Sequence, residues 1–279
     1  MSTNNGYEIR MSFYTNYLLE QNLIVKKSMP IAGIVCSNPR RAERIVSSHL
    51  TDANLLKEYH SAWQLDIYIG HYQGKMMFVA AIPVGAAGAA FAIQQFAVAG
   101  ARYIVRYGSN DDPRLTDKRM DEVIIVDRAD NLYGLMQGSG APPETWGKIL
   151  HASPILINSL SQKAQELQIE IQLAVCHHIE DYGAYAFPAF AGKYGENIMK
   201  CISELEASDS SRLHSRDMET AALFYRALLD NFHAATVLQN VPKFSGFHQT
   251  YDNKQGEIAK KIEKKFSDLI FSALATYIN

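Results

Sequence analysis

What is scarce in this 279-residue sequence narrows its class before any motif is read. It holds three cysteines, Cys36, Cys176 and Cys201, too few and too scattered for a disulfide framework or a zinc cluster. A reduced, cytoplasmic setting fits that usage. Neither sign of charge is in excess: 27 Lys and Arg face 29 Asp and Glu, for a formal net charge of -2. No Lys and Arg stripe forms, so nucleic-acid binding has no electrostatic support. The polar stretch Met1 to Arg10 lacks the apolar core of a signal peptide. There is no internal repeat, no low-complexity tract and no divider rich in Pro, Ser or Gly. The length then suits one large domain over residues 29–279, with residues 1–28 as an N-terminal extension. Met76 to Ile93 runs for 18 residues without a charge, the length of a membrane helix. However, Pro83, Gly85 and Gly88 interrupt it and alanine dominates its second half. A buried strand, a Gly-rich turn and a helix account for it better, and no membrane association is expected.

Short apolar runs alternate with longer helical stretches along the rest of the chain. Strands are predicted at Ile31–Cys36, Leu65–His71, Met76–Ile82, Tyr103–Tyr107, Glu122–Asp127, Glu170–Cys176 and Ala234–Gln239. Asn38 as N-cap and Pro39 at the first helical position start a helix to about Leu50. Further helices are predicted from about Ala87 to Gly100, then at Pro154–Leu167, Asn197–Glu206, Asp217–Asp230 and Lys254–Tyr277. Such alternation implies an α/β fold, a mixed, mostly parallel central sheet flanked by helices on both faces. Ligands in these sheets bind beyond the carboxyl ends of the strands. The loops after Cys36, Ile82, Tyr107, Cys176 and Gln239 are therefore where chemistry is sought.

Four segments there carry candidates. In Ser37-Asn38-Pro39-Arg40-Arg41, a helix start and an arginine together suit an anion, although a capped helix with two solvated arginines reads the same way. In Ile104 to Ser109, Arg106 sits among strand formers and needs an anionic partner if buried; an internal carboxylate would serve as well as a ligand. Gly108-Ser109 adds backbone and hydroxyl donors. The glycines of Val84 to Ala90 permit either a close ligand or tight helix–sheet packing. In Asp217-Met218-Glu219, a carboxylate at a helix start could bind ribose hydroxyls or simply favour the helix dipole.

In this order and approximate spacing, from about residue 30 to residue 245, the four segments resemble the nucleoside phosphorylase and uridine phosphorylase family. That family carries a Gly-Asp-Pro-x-Arg turn, a Gly-rich turn, an Ile-Arg-x-Gly-Ser/Thr strand end and a Met-Glu pair opening a late helix. The resemblance implies a pentosyltransferase that splits a nucleoside with phosphate into base and ribose 1-phosphate. It implies that Arg41, Arg106 and Ser109, with the amide of Ser37, hold phosphate. Arg106 and Glu219 are then the catalytic pair, with Glu219 on the ribose 2′ and 3′ hydroxyls and Met218 lining sugar and base. Base contacts are expected from His178, Tyr182, Gln239 and Asn240. No cofactor is implied beyond phosphate as co-substrate, and no metal. A homo-oligomer, a dimer or a trimer of dimers, is implied.

The sequence departs from the family pattern at named places. Asn38 stands for the usual Asp and Ser37 for the Gly. Trp63 falls near the position of an arginine lent to a neighbouring subunit, and no histidine precedes His49. Asn110-Asp111-Asp112 follows Ser109 where the family is Gly-rich. Gln239 to Lys243 lacks the acid of purine-specific members, which leans the reading slightly to a uridine-type substrate. A hydrolytic nucleosidase of the same fold and a catalytically weak nucleoside-binding protein stay open as alternatives. His177-His178 beside Glu180-Asp181 looks like a metal cluster, but adjacent strand residues point to opposite faces. The run Lys260-Lys261 and Lys264-Lys265 reads as a solvated helix face.

Overall fold

A computed structural model describes residues 29–56, 65–110, 121–240 and 254–278. The proposed extension 1–28 lies outside them. In chain order the strands are β1 (Ala32–Cys36), β2 (Thr51–Leu55), β3 (Asp66–Tyr72), β4 (Lys75–Ala81), β5 (Tyr103–Asn110), β6 (Val123–Asp130), β7 (Leu150–His151), β8 (Ile171–His178), β9 (Leu213–Asp217) and β10 (His233–Asn240). The helices are α1 (Pro39–His49), α2 (Ala86–Val98), α3 (Gly134–Gly138), α4 (Pro154–Glu166), α5 (Tyr182–Ala186), α6 (Pro188–Ala191), α7 (Lys193–Ser208), α8 (Thr220–Asp230) and α9 (Lys254–Leu274). One mixed sheet runs in the order β2-β3-β4-β1-β5-β10-β6-β8-β9, with β7 added to β6. Strands β4, β1, β5 and β10 are mutually parallel. The parallel group β6, β8 and β9 runs the opposite way, because β10 meets β6 antiparallel.

The central strands are apolar on both sides, as β1 shows with Ala-Gly-Ile-Val-Cys wholly buried. Period-two alternation divides them between two cores. Val35, Phe78, Ile104 and Val126 pack under α2 and α8 with Phe96 and Phe224. Ile34, Val79, Val105 and Tyr107 pack under α1, α4 and α9 with Phe266 and Phe271. Helix α1 begins as its sequence predicts: Pro39 opens it, and the Asn38 side chain accepts the Arg41 N–H at 3.1 Å. Helix α9 turns Ile262, Phe266, Leu269 and Ile270 inward, leaving Lys260, Lys261 and Lys264 exposed. Within that basic run Glu263 is the exception, being buried.

The structure corrects several boundaries. Strand β5 continues past Tyr107 to Asn110, and β8 past Cys176 to His178. Strands β2, β7 and β9 and the short helices α3, α5 and α6 were not foreseen. Asp217 closes β9 rather than opening a helix; α8 starts at Thr220. No helix among the described residues is long and apolar enough to cross a membrane.

Candidate active site

Strands β5 and β9 are far apart in the sheet order, yet the sheet curls enough to bring their ends together. The Asn110 side chain, last in β5, accepts the backbone N–H of Arg216 in β9 at 2.8 Å. Its amide donates to Asn240 Oδ1 at the end of β10, at 2.9 Å. Around this junction the side chains of β5 alternate, and the alternation sorts the candidate residues into two clusters.

The first cluster lies on the α2 and α8 face. Arg106 is 2 % exposed, and its guanidinium forks between two carboxylates. Nη1 donates to Asp217 Oδ2 at 2.5 Å, and Nη2 donates to Glu219 Oε2. Burial disfavours the cation, but Asp217 and Glu219 together outweigh it, so the Arg106 pKa is raised. Asp217 also accepts the N–H groups of Glu219 at 3.3 Å and Thr220 at 3.0 Å, together with the Thr220 hydroxyl. It thereby fixes the turn that carries Glu219 into α8. The second Glu219 oxygen accepts the N–H of Gly85 at 2.9 Å. Gly85, the N-cap of α2, has φ +89°, a conformation that glycine adopts without a Cβ penalty. The Gly-rich turn thus helps hold the carboxylate in place. Arg106 Nε is buried with no partner among the described residues.

The second cluster lies on the opposite face, against α1 and α9. Arg41 is buried, its Nη2 donating to Ser109 Oγ at 3.1 Å and its Nε to Glu263 Oε1 at 3.3 Å. The guanidinium stands 4.7 Å from the Tyr107 ring centroid, a cation–π distance. Arg44 forks onto both oxygens of Glu263 at 2.6 and 2.8 Å. Of the two arginines in the turn after β1, Arg40 is exposed and Arg41 is not, so the reading of two solvated arginines fails for Arg41. The two clusters meet electrostatically at Cys36. Burial pushes its thiol up to about 11, and both Arg41 and Arg106 pull it the other way. Ser37 follows Cys36, with its hydroxyl oxygen buried and without a partner among the described residues.

The proposed base residues have mixed surroundings. Gln239 is buried, its Oε1 accepting the Tyr107 hydroxyl at 2.7 Å, and Asn240 is bonded to Asn110 as above. Tyr182 is half-buried against Ile179, Tyr185 and Ile202. His177 and His178 diverge as alternation requires. His177 bonds Asp130 at 2.7 Å and His214 at 2.9 Å, whereas His178 lies 3.4 Å from Glu180. Among the described residues no group of three His, Cys, Asp or Glu side chains is disposed to hold a metal ion. Trp63, Asp111, Asp112 and Val241 to Lys243 lie outside the described residues.

Comparison with known proteins decides the architecture. A uridine phosphorylase from Vibrio fischeri ES114 superposes with a TM-score of 0.70, at 18% identity, over 93% of this chain and 100% of its own. The chain has the nucleoside phosphorylase fold. A purine nucleoside phosphorylase from Toxoplasma gondii shares this fold at a TM-score of 0.67 and 19% identity, over 90% of this chain and 92% of that one. So does a futalosine hydrolase mutant from Helicobacter pylori, at 0.63 and 13%, over 88% of this chain and 98% of that one. No protein-family model and no curated protein matches the sequence.

Two partners in this nucleoside phosphorylase fold escaped the sequence reading. In the sequence Asp217 reads as a helix-start acid; the structure makes it the anchor of Arg106. Glu263 was hidden in a basic run, where a single acid on the inward stripe of an amphipathic helix was the available signal. Gly108 has a role of its own, because the Arg106 side chain runs over it toward Asp217. A Cβ at Gly108 would overlap the guanidinium. Gly108→Ala is therefore expected to push Arg106 off both carboxylates, costing about 1–3 kcal/mol in urea unfolding and most of the turnover. An unchanged melt with full activity would show that the guanidinium can be held elsewhere.

Proposed function

We propose that this chain is a nucleoside phosphorylase, cleaving the N-glycosidic bond of a nucleoside with phosphate to give free base and ribose 1-phosphate. The observation that carries the reading is the Arg106 fork. A buried, permanently charged guanidinium touches Glu219 on one side of the β5 end, while Arg41 and Ser109 are bonded on the other. In this reading the anion sits over that strand end, held by both arginines, Ser109 and the amide of Ser37. A sugar beside it meets Glu219, with Met218 lining its other side.

Bond cleavage gives the sugar oxocarbenium character. A phosphate dianion beneath the ring both stabilises that charge and supplies the nucleophile. Glu219 clamping the hydroxyls orients the sugar for attack. His178, Tyr182, Gln239 and Asn240 surround the base in this reading. With only amides at the β10 end, the reading keeps a slight lean toward a uridine-type substrate; the Vibrio fischeri neighbour is a uridine phosphorylase. The reading calls for no cofactor. It places the enzyme in the cytoplasm as a homo-oligomer, a dimer or a trimer of dimers.

One observation favours a second reading, hydrolysis by water. The guanidiniums already have internal partners: Arg106 pairs with Asp217 and Glu219, and Arg41 and Arg44 with Glu263. Three cations thus face three carboxylates, and a phosphate dianion must compete for them. A futalosine hydrolase is among the proteins of this fold. The discriminating experiment is base release from uridine, thymidine, inosine, adenosine and methylthioadenosine, each with and without phosphate. Phosphate-dependent release from at least one is expected. Equal release without phosphate makes the chain a nucleosidase, and no release from any makes it a binding protein.

A further inference from the structure

The departing base must take up a proton or an equivalent charge as the glycosidic bond breaks, and the amides at the end of β10 are poor donors. Gln239 and Asn240 are also committed to Tyr107 and Asn110. The proton source has to be found elsewhere, on the face that carries Arg106 and Glu219.

One side chain fits. His178 is the last residue of β8, and its Cα is in register with Asp217 on the neighbouring parallel strand β9. Residues in register on adjacent parallel strands project to the same face, about 5 Å apart. The imidazole therefore stands on the face where Asp217 binds Arg106 and Arg106 binds Glu219. It is fully buried; Nε2 has the Glu180 carboxylate at 3.4 Å, whereas Nδ1 has no hydrogen-bond partner among the described residues. Buried imidazole nitrogens are normally satisfied, so the unsatisfied Nδ1 on that face points to a ligand group. The backbone holds the ring in place, since the His178 carbonyl accepts the Asn131 side-chain amide at 2.9 Å.

The charged neighbours are unequal. On its own loop, Nε2 lies 3.4 Å from Oε1 of Glu180, whose side chain is 51% exposed. His178 and the Gly134 N–H of α3 together hold the Glu180 carboxyl below its usual range against the effect of burial, the imidazole being the larger cause. On β9 the Asp217 carboxylate is already neutralised by Arg106. His177 and Asp130 bond one another on the opposite face. The arrangement leaves Nε2 oriented by a half-exposed carboxylate and Nδ1 uncommitted.

We propose that His178 is the general acid for the leaving base, with Glu180 as its positioning residue. The inference rests on the glycosidic-cleavage reading above. As phosphate oxygen bonds C1′, the electron pair of the C1′–N bond passes to the base. The Nδ1–H of the His178 imidazolium donates its proton to a base heteroatom. The neutral imidazole keeps its Nε2–H toward Glu180, and Nδ1 regains its proton from solvent once the products have left. This is a role for neither Gln239 nor Asn240, and it makes the substrate a nucleoside whose base leaves poorly without protonation.

The test compares two leaving groups in phosphate buffer: the nucleoside that the panel identifies, and 4-nitrophenyl β-ribofuranoside, whose phenolate departs without a proton. His178→Asn is expected to lower kcat/KM on the nucleoside about 10²–10⁴-fold, the usual worth of a general acid, and to change the nitrophenyl riboside less than about threefold. Glu180→Gln, at a half-exposed position that tolerates replacement, should show the same selectivity with a loss of about tenfold in kcat and little change in KM. Equal losses on both substrates, or none on either, in folded variants would overturn the proposal. If His178→Asn does not fold, the Glu180→Gln comparison decides alone. Wild-type protein inert toward every nucleoside would instead overturn the cleavage reading itself, and this inference with it.

Discussion

Arg106→Ala is expected to lower phosphate-dependent turnover by about 10²–10³-fold, the usual loss when a preorganised charge donor is removed from a reacting site. The same change should destabilise the fold by about 3–5 kcal/mol, because it leaves two buried carboxylates facing one another without their cation. Asp217 is 1% exposed and Glu219 3%, so water cannot make good the loss. The two effects separate experimentally. Urea unfolding reports the second, and turnover measured well below the melting temperature reports the first. Arg106→Lys provides the control: it restores a charge to the carboxylates but not the planar fork that touches both at once. It should recover much of the stability and little of the activity. Full turnover in a folded Arg106→Ala protein would remove Arg106 from the site.

Glu219→Gln has a less obvious consequence. The amide keeps an oxygen for the Gly85 N–H, so the turn at α2 survives, but the charge that neutralises half of the Arg106 fork is gone. Ribose recognition should suffer, with kcat/KM for nucleoside falling about 10²-fold, or about 2.7 kcal/mol in transition-state binding. Phosphate binding should move the other way and tighten by about tenfold, or about 1.4 kcal/mol, because a competing carboxylate has left its main cation. Titration calorimetry with inorganic phosphate measures this directly. Weaker phosphate binding in the variant would mean that Glu219 supports the anion site rather than competes with it.

Much of the fold was legible because its signals are local. Ile31 to Cys36 and Tyr103 to Tyr107 are apolar runs long enough only for buried strands, and Asn38-Pro39 is a helix start in any context. Strand β9 was not legible for the same physical reason in reverse. Leu213-His214-Ser215-Arg216-Asp217 is largely polar, and its stability comes from partners distant in sequence. His214 meets His177, Arg216 meets Glu206 and the Asn110 side chain, and Asp217 meets Arg106. No hydrophobic period reports such a strand.

The candidate site divides along similar lines. Arg106 is recognisable because an arginine among strand formers must be compensated, and in the structure that compensation is internal, from Asp217 and Glu219. That Ser109 and Arg106 project to opposite faces follows from the uninterrupted pairing of β5 with β10. It became visible only once the strand was known to reach Asn110. Glu263 could not be assigned from its neighbours, since its role depends on α9 lying across α1, more than two hundred residues earlier in the chain. His178 was singled out by position alone. Its buried ring, with Nδ1 unsatisfied, is a property of the folded chain.

The most direct test of phosphorolysis follows the oxygen. Turnover of the nucleoside that releases its base is run with [¹⁸O]phosphate in ordinary water, and the sugar product is analysed by mass spectrometry and ³¹P NMR. The account predicts ribose 1-phosphate carrying the label on the oxygen that joins phosphorus to C1′. Unlabelled free ribose, formed at the same rate whether or not phosphate is present, would contradict it and assign the nucleophile to water.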